Sequence, residues 1–316
     1  MSLSSFESAV IRALNAQDYA AALDSYNSWY DAVISRGESV NLVWRSQHKA
    51  NAANLSRKAL YDSLGSVVHC STRLKKAVDM FVGLTPKVFA LANQQPSFFY
   101  VPDLTAQPFW PVELLSGLGT LADNLAASLL GHFEHSSTES YLTRFDNIPQ
   151  QDDWQKLYTD WQSVQLMIGG EAQPILKTLP STFSSFLDDP LIAQCPPFAP
   201  EAFVSTLVPK AVIPPHYGLT NIKLTLHVAL NVNPNASLTA GGQVFHWHDG
   251  CSAMVFDDSF LHSAKNEGEV PRSVLILDIW HPDLTLGERN ALARFFDVHH
   301  QWKQGVGRLS GLDKGL

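Results

Sequence analysis

Cysteine is scarce: Cys70, Cys195 and Cys251 are the three in 316 residues, widely separated and never in a CxxC pair. This excludes a disulfide framework and a thiolate zinc site, and a reducing compartment is the expectation. Charge is sparse as well. Only 16% of residues are Asp, Glu, Lys or Arg, and a net charge of −8 leaves no basic footprint for nucleic acid or an anionic membrane surface. No apolar run approaches the roughly 18 residues of a membrane span, and no basic region followed by an apolar one opens the chain. These absences predict a soluble, cytoplasmic protein that touches neither membrane nor nucleic acid and whose partner is a small molecule or a protein segment.

Proline is missing as far as Pro86, and from Ser5 to about Leu91 apolar residues recur at three- and four-residue spacing, so this region is expected to be helical. The piece ALNAQDYAAALDSYNSWYDA (Ala13 to Ala32) reads as one helix, either of a tetratricopeptide-like unit or of an ordinary amphipathic kind. Proline and aromatic residues then cluster in QQPSFFYVPDLTAQPFWPVELL, where a domain boundary is placed. Further helical patterns run from Glu113 to about His135 and from Asp152 to Trp161. From Ala202 onward, short β-rich runs separated by NPNAS, AGG and KNEGE suggest an antiparallel sandwich or jelly roll. Thr285 followed by Glu288 is a capping-box start for a last helix. The expected organisation is an α-helical domain over 1–93, a catalytic β domain with flanking helices over 94–304, and a Gly-rich flexible tail over 305–316.

In NIKLTLHVAL (Asn221 to Leu230), a strand period places Lys223, Thr225, His227 and Ala229 on one face and Leu224, Leu226, Val228 and Leu230 on the other. The leucine face is the packing face. His227 then points to a polar interior, which in a jelly roll means a pocket. His262 follows after enough chain for a hairpin or two, and an imidazole pair on strands of one barrel suits a divalent transition metal. A non-haem Fe(II) site would ordinarily add a carboxylate two residues after the first histidine, where this chain has Ala229. Three readings are open: two-histidine iron with water in the extra positions, a halide in the vacancy, or no metal.

Arg272 opens RSVLILDIW, a run whose interior would bury the guanidinium. A buried guanidinium needs an anion. Either it grips an incoming carboxylate, as at the far end of a metal-chelating 2-oxoglutarate, or it pairs with Asp257, Asp258 or Asp278 to hold strands together.

The segments PPHYGLTNIKLTLHVAL and FDDSFLHSAKNEGEVPRSVLILDIWHPDL carry, in order, PHxGxTN, HxxL, FDDSFxH, a lone Arg and DxWHPxL. This combination, over roughly Pro96 to Arg289, resembles the aspartyl/asparaginyl β-hydroxylase family of Fe(II)/2-oxoglutarate oxygenases. The resemblance implies an α+β fold with a double-stranded β-helix core, in which His227 and His262 hold the metal and Ala229 is the rule. It also implies that Arg272 binds 2-oxoglutarate, with His216, Ser205 and Trp247 beside the cosubstrate, and that Asp258 orients His262 or a metal-bound water. The implied reaction consumes O2 and hydroxylates a C–H bond, at Cβ of an aspartyl or asparaginyl residue or of an Asp-derived substrate. The chain departs from the family pattern in Asn231 to Gly250, which holds no Arg or Lys to take a substrate carboxylate. Lys223, His246 and His248 are the remaining candidates. Alternatives are a hydroxylase of a carrier-bound amino acid or acyl chain, a radical halogenase, a non-catalytic jelly-roll binding module, and a zinc hydrolase using His216, His227 and His262.

Overall fold

The computed structural model describes residues 3–36, 51, 54–55, 57–115, 117–129, 131–133, 136–145, 148–248 and 250–304. The chain divides into two compact units, one of Met1–Val88 with Asn290–Leu316 and one of Phe89–Arg289. The C-terminal helix therefore crosses from the second unit into the first, where the sequence had placed it wholly in the catalytic domain. The Gly-rich tail lies outside the described residues.

In the first unit, α1 (Leu3–Asn15) and α2 (Tyr19–Ser35) pack as a helical hairpin around Leu23 and Tyr26. Ala13 to Ala32 is thus two helix pieces and not the single helix its apolar spacing predicts. The break falls at Gln17, whose φ of 57° leaves the helical region, and Asp18 then caps α2 by accepting the Ala21 N–H at 3.0 Å. α3 (Thr72–Phe81) is capped by Ser71, whose Oγ accepts the Leu74 N–H. The helical region ends there, ten residues short of Leu91, because Gly83 takes a φ of 79°.

The second unit is built on two antiparallel sheets. The larger runs β1 (Phe109–Trp110), β10 (Ala253–Phe256), β7 (Lys223–Asn231), β12 (Arg272–Trp280), β5 (Ala202–Leu207), β3 (Trp161–Ile168) and β2 (Glu139–Ser140), with β4 (Glu171–Ala172) beside β3. The smaller runs β6 (Val212–His216), β11 (His262–Asn266), β8 (Ala236–Ala240) and β9 (Gln243–His246). They form the expected jelly roll with flanking helices. β3 was missed in the sequence because α5 (Asp152–Asp160) passes into it at Trp161 with no Gly or Pro between them.

Period two decides the placement of side chains. On β7 and β12, Leu224, Leu226, Val228, Leu275, Leu277 and Ile279 are fully buried against α4 (Leu118–Leu129) and α6 (Ser181–Leu187). Their neighbours Lys223, Thr225, His227, Arg272, Ile276 and Asp278 face the space between the sheets. On the smaller sheet, the pairing of β6 with β11 shifts by one residue between His262 and Ala264. Pro214 and Pro215 lie in this stretch of β6, an edge strand, where a missing N–H is tolerated.

α7 (Leu286–Gln304) begins with the capping box read from the sequence: Glu288 N–H donates to Thr285 Oγ1 at 3.2 Å, and Thr285 N–H donates to Glu288 Oε2 at 3.1 Å. Among the described residues, no helix is long and apolar enough to cross a membrane. Thr285→Ala removes this cap and is expected to cost about 1 kcal/mol. Denaturant unfolding should register this as a lower midpoint, and an unchanged midpoint would deny the cap a stabilising role.

Candidate active site

A cavity of about 420 Å³ lies between the sheets and brings together Ser205, His216, His227, His262 and Arg272. Its far wall is Arg272, at the start of β12 and 3% exposed. The guanidinium Nε and Nη1 have no hydrogen-bond partner, and burial alone pushes the pKa down to about 10. None of the three aspartates that might have paired with it does so. Asp257 accepts from the Ser259 N–H at 2.9 Å and from Gln94 Nε2 at 3.0 Å, closing a buried turn. Asp278 takes Lys223 Nζ at 2.6 Å, and Asp258 lies 3.8 Å from the same ammonium. Among the described residues Arg272 is therefore a desolvated cation without an internal anion, an arrangement that costs free energy unless an incoming anion meets it.

Ser205, on β5 and buried, accepts a hydrogen bond from Trp161 Nε1 at 3.0 Å, so its own O–H remains available to donate into the cavity. Trp247 is placed elsewhere. It is buried in an apolar cluster with Ala236, Leu238, Ala240, Met254 and Val274 and is not among the residues lining the cavity. An indole at that point of the chain follows the exposed β9, so it turns inward to fill the sandwich and does not reach a cosubstrate. His246 and His248 are exposed and away from the cavity.

The histidines are arranged differently from the sequence reading. The ring beside His262 is that of His216, its direct cross-strand partner on β6, with centroids 4.1 Å apart. His227, on the opposite sheet, meets Phe256 edge-on at 5.3 Å, and Phe256 also contacts His262 at 5.3 Å. Two imidazoles that share an ion must bring their ring edges within a few ångströms, since each metal–nitrogen bond is only about 2 Å long. The His216–His262 pair meets that requirement. Strand alternation gives the face of His227 but not which strand of the other sheet lies across from it, and so it does not show the closeness of His216 to His262.

Both members of the close pair are oriented by their own backbone. His216 Nδ1 donates to the Pro214 carbonyl at 2.8 Å, and His262 Nδ1 donates to the Phe260 carbonyl at 2.9 Å. A carbonyl can only accept, so each Nδ1 carries the proton and each Nε2 keeps its lone pair. Burial holds the rings neutral, with the pKa of His262 lowered to about 4 and that of His216, beside His262, to about 3. His227 is also held well below the usual range, by burial and then by the Arg272 charge. Among the described residues, no group of three or more His, Cys, Asp or Glu side chains converges as a metal site. The three-histidine set of a zinc hydrolase is thus not formed.

The cavity is also lined by groups that the sequence reading did not single out. Tyr141 stacks on Trp161 at 4.2 Å and on Phe203 at 4.7 Å, and Arg144 pairs with Glu201. No motif or periodic pattern in the sequence marks them. Gly218 permits the last approach: a Cβ there would lie 2.5 Å from the Asp258 carboxyl carbon.

Residues 131–282 match the family model for aspartyl/asparaginyl β-hydroxylase. The chain is similar to aspartate β-hydroxylase domain-containing protein 2 of Xenopus tropicalis, 31% identical over 216 residues, which cover 64% of this chain and 55% of that one. The Homo sapiens protein of the same name is 30% identical over 210 residues, covering 64% and 55%. Homo sapiens aspartyl/asparaginyl β-hydroxylase is 27% identical over 210 residues, covering 63% of this chain and 26% of that one. The chain thus spans little more than half the length of the first two relatives. The β-hydroxylase match takes in every strand of both sheets except β1, and none of Met1–Val88.

The neutral histidines set a pH dependence. His262 titrates at about 4 in the folded chain and near 6.5 when unfolded, so between those values the unfolded chain binds more protons. Stability therefore falls as pH drops from 6.5 toward 4. His262→Gln is expected to flatten this fall in denaturant titrations of the metal-free protein, and an equal slope in both proteins would contradict the low pKa.

Proposed function

We propose that this chain is an Fe(II)/2-oxoglutarate-dependent oxygenase that uses O2 to hydroxylate a C–H bond of an Asp- or Asn-bearing substrate. The observation that carries the reading is the pairing, within one cavity, of a neutral imidazole pair with a buried guanidinium that has two free N–H-bearing nitrogens and no internal anion. The residues fit the cosubstrate: an orphaned cation at one end, and two nitrogen lone pairs of the borderline kind that Fe(II) accepts at the other.

His216 and His262 would hold the iron. Their Nδ1 bonds to Pro214 and Phe260 fix the tautomer and ring orientation from behind, as second-layer partners do at metal sites. Arg272 would take the distal carboxylate of 2-oxoglutarate through its free nitrogens, with the Ser205 hydroxyl donating to the same group. His227, on the wall between Arg272 and the imidazole pair and neutral, would line the keto-acid portion. Bound iron with 2-oxoglutarate supplies the activation of dioxygen. The protein supplies orientation and a dry wall: Phe256, Leu238 and Ile276 face the cavity between the polar groups and keep water from the reacting carbon. Asp258, 3.8 Å from Lys223 and hydrogen-bonded through its carbonyl to the Gly218 N–H, would stand between the imidazole pair and the substrate.

Replacing His216 or His262 by Ala should abolish Fe(II)-dependent succinate formation and Mn(II) binding, whereas His227→Ala should keep Mn(II) binding and weaken 2-oxoglutarate. Retained Mn(II) binding in His216→Ala, with loss in His227→Ala, would return the metal to the other pairing. Arg272→Ala should weaken 2-oxoglutarate by about 1.5–3 kcal/mol, the worth of hydrogen bonding to a charged group. An unaltered affinity in calorimetry would leave Arg272 with a structural role only. A mass gain of one oxygen atom on Asp- or Asn-containing peptides tests the reaction itself.

A further inference from the structure

We propose that the substrate presents an uncharged hydrogen-bond donor, a carboxamide in the simplest case, to the end of the cavity away from Arg272, and that the site discriminates there against a carboxylate. This rests on the oxygenase reading above and narrows its substrate class. Arg272 and Asp278 share one face of β12 six residues apart, which separates their backbones by about 20 Å. The Asp278 end is therefore distinct from the cosubstrate end.

At that end the cations are committed. Lys223 Nζ bonds Asp278 Oδ1 at 2.6 Å and faces Asp258 Oδ2 at 3.8 Å, and burial, which opposes its charge, is outweighed by these carboxylates, which hold its pKa above the usual value. Arg144 bonds Glu201. The acids are nearly as fully engaged: Asp278 Oδ2 accepts the Glu201 N–H at 2.9 Å, and Glu201 Oε1 accepts the Gly169 N–H at 2.7 Å. Two buried side-chain atoms of the residues lining this end are without a hydrogen-bond partner, Asp258 Oδ1 and Thr225 Oγ1. Register places Thr225 directly opposite Asp278 on one side and Phe256 on the other.

Charge and hydrogen bonding select the same ligand. Apart from an ion at the imidazole pair, two cations stand against three carboxylates, and the oxygens of a further carboxylate could offer nothing to Asp258 Oδ1. A carboxamide brings no charge. Its NH2 can donate to Asp258 Oδ1 while its carbonyl accepts from the Thr225 hydroxyl, and both orphaned atoms are then satisfied. A site that hydrogen-bonds a donor rejects the analogue lacking it, because its own buried acceptor is left unpaired.

The test is a titration of the full chain, loaded anaerobically with Mn(II) and 2-oxoglutarate, with N-acetyl-asparagine amide and with N-acetyl-aspartic acid α-amide. These probes differ only in carboxamide against carboxylate, and Mn(II)-enhanced relaxation of their protons reports binding. At pH 7 the asparagine probe is expected to bind at least tenfold more tightly. Asp258→Asn should shrink that ratio to below threefold, and Thr225→Val, which is isosteric, should weaken the asparagine probe alone. Equal or tighter binding of the acid, binding of neither probe, or an unchanged ratio in Asp258→Asn overturns the inference. Failure of 2-oxoglutarate to bind with Mn(II) before any probe is added would instead remove the oxygenase reading.

Discussion

The second unit depends on one constraint: the central strands of its larger sheet are buried on both faces, and the two faces want different things. Leu224, Leu226, Val228, Leu275, Leu277 and Ile279 make a dry contact with helices, and burial of such side chains is worth roughly 1.5–3 kcal/mol each. That contact leaves no freedom in the alternate positions. Lys223, Thr225, His227, Arg272 and Asp278 are pinned into the space between the sheets because slipping either strand by one residue would exchange the faces and drive charges into the helix interface. The apolar half of the strand thus supplies the rigidity with which the polar half is presented.

Electrostatically, the cavity has two ends of different character. Around Lys223 and Arg144 every cation has an acid at hand, and the network closes on itself. At Arg272 it does not close. The imidazoles lie between them and are kept neutral by burial, which suits them to coordinate and not to repel a metal. A pocket that spends its acids at one end and withholds them at the other imposes a direction on anything with a carboxylate at a single end.

Much of this was legible in the sequence. The alternation in NIKLTLHVAL gave the strand and its polar face, the Thr285 and Glu288 spacing gave the last cap, and the ordered motifs from His216 to Trp280 fall within the stretch that matches the β-hydroxylase model. What the sequence withheld was pairing across space. His216 and His262 meet because β6 and β11 are neighbours, a fact of sheet order, and no local pattern distinguishes that arrangement from one in which His227 fills the place. Arg144 and Glu201 were hidden for the same reason, since they come from the end of a short 3-10 helix and from the residue before β5, with no periodic signal. Trp247 was misplaced because its burial among Ala236, Leu238, Met254 and Val274 follows from packing between the sheets, which no local pattern shows.

The one-residue slip between β6 and β11 has a consequence for how the imidazole pair is kept. Pro214 and Pro215 carry no N–H, so that stretch of β6 cannot settle into the regular ladder that would even out the extra residue. The irregularity is locked in by composition, and His216 is aimed by a kink that persists whether or not an ion is bound. An ion at this pair would then meet nitrogen atoms already set in place, and its coordination would not need the strands that carry them to rearrange.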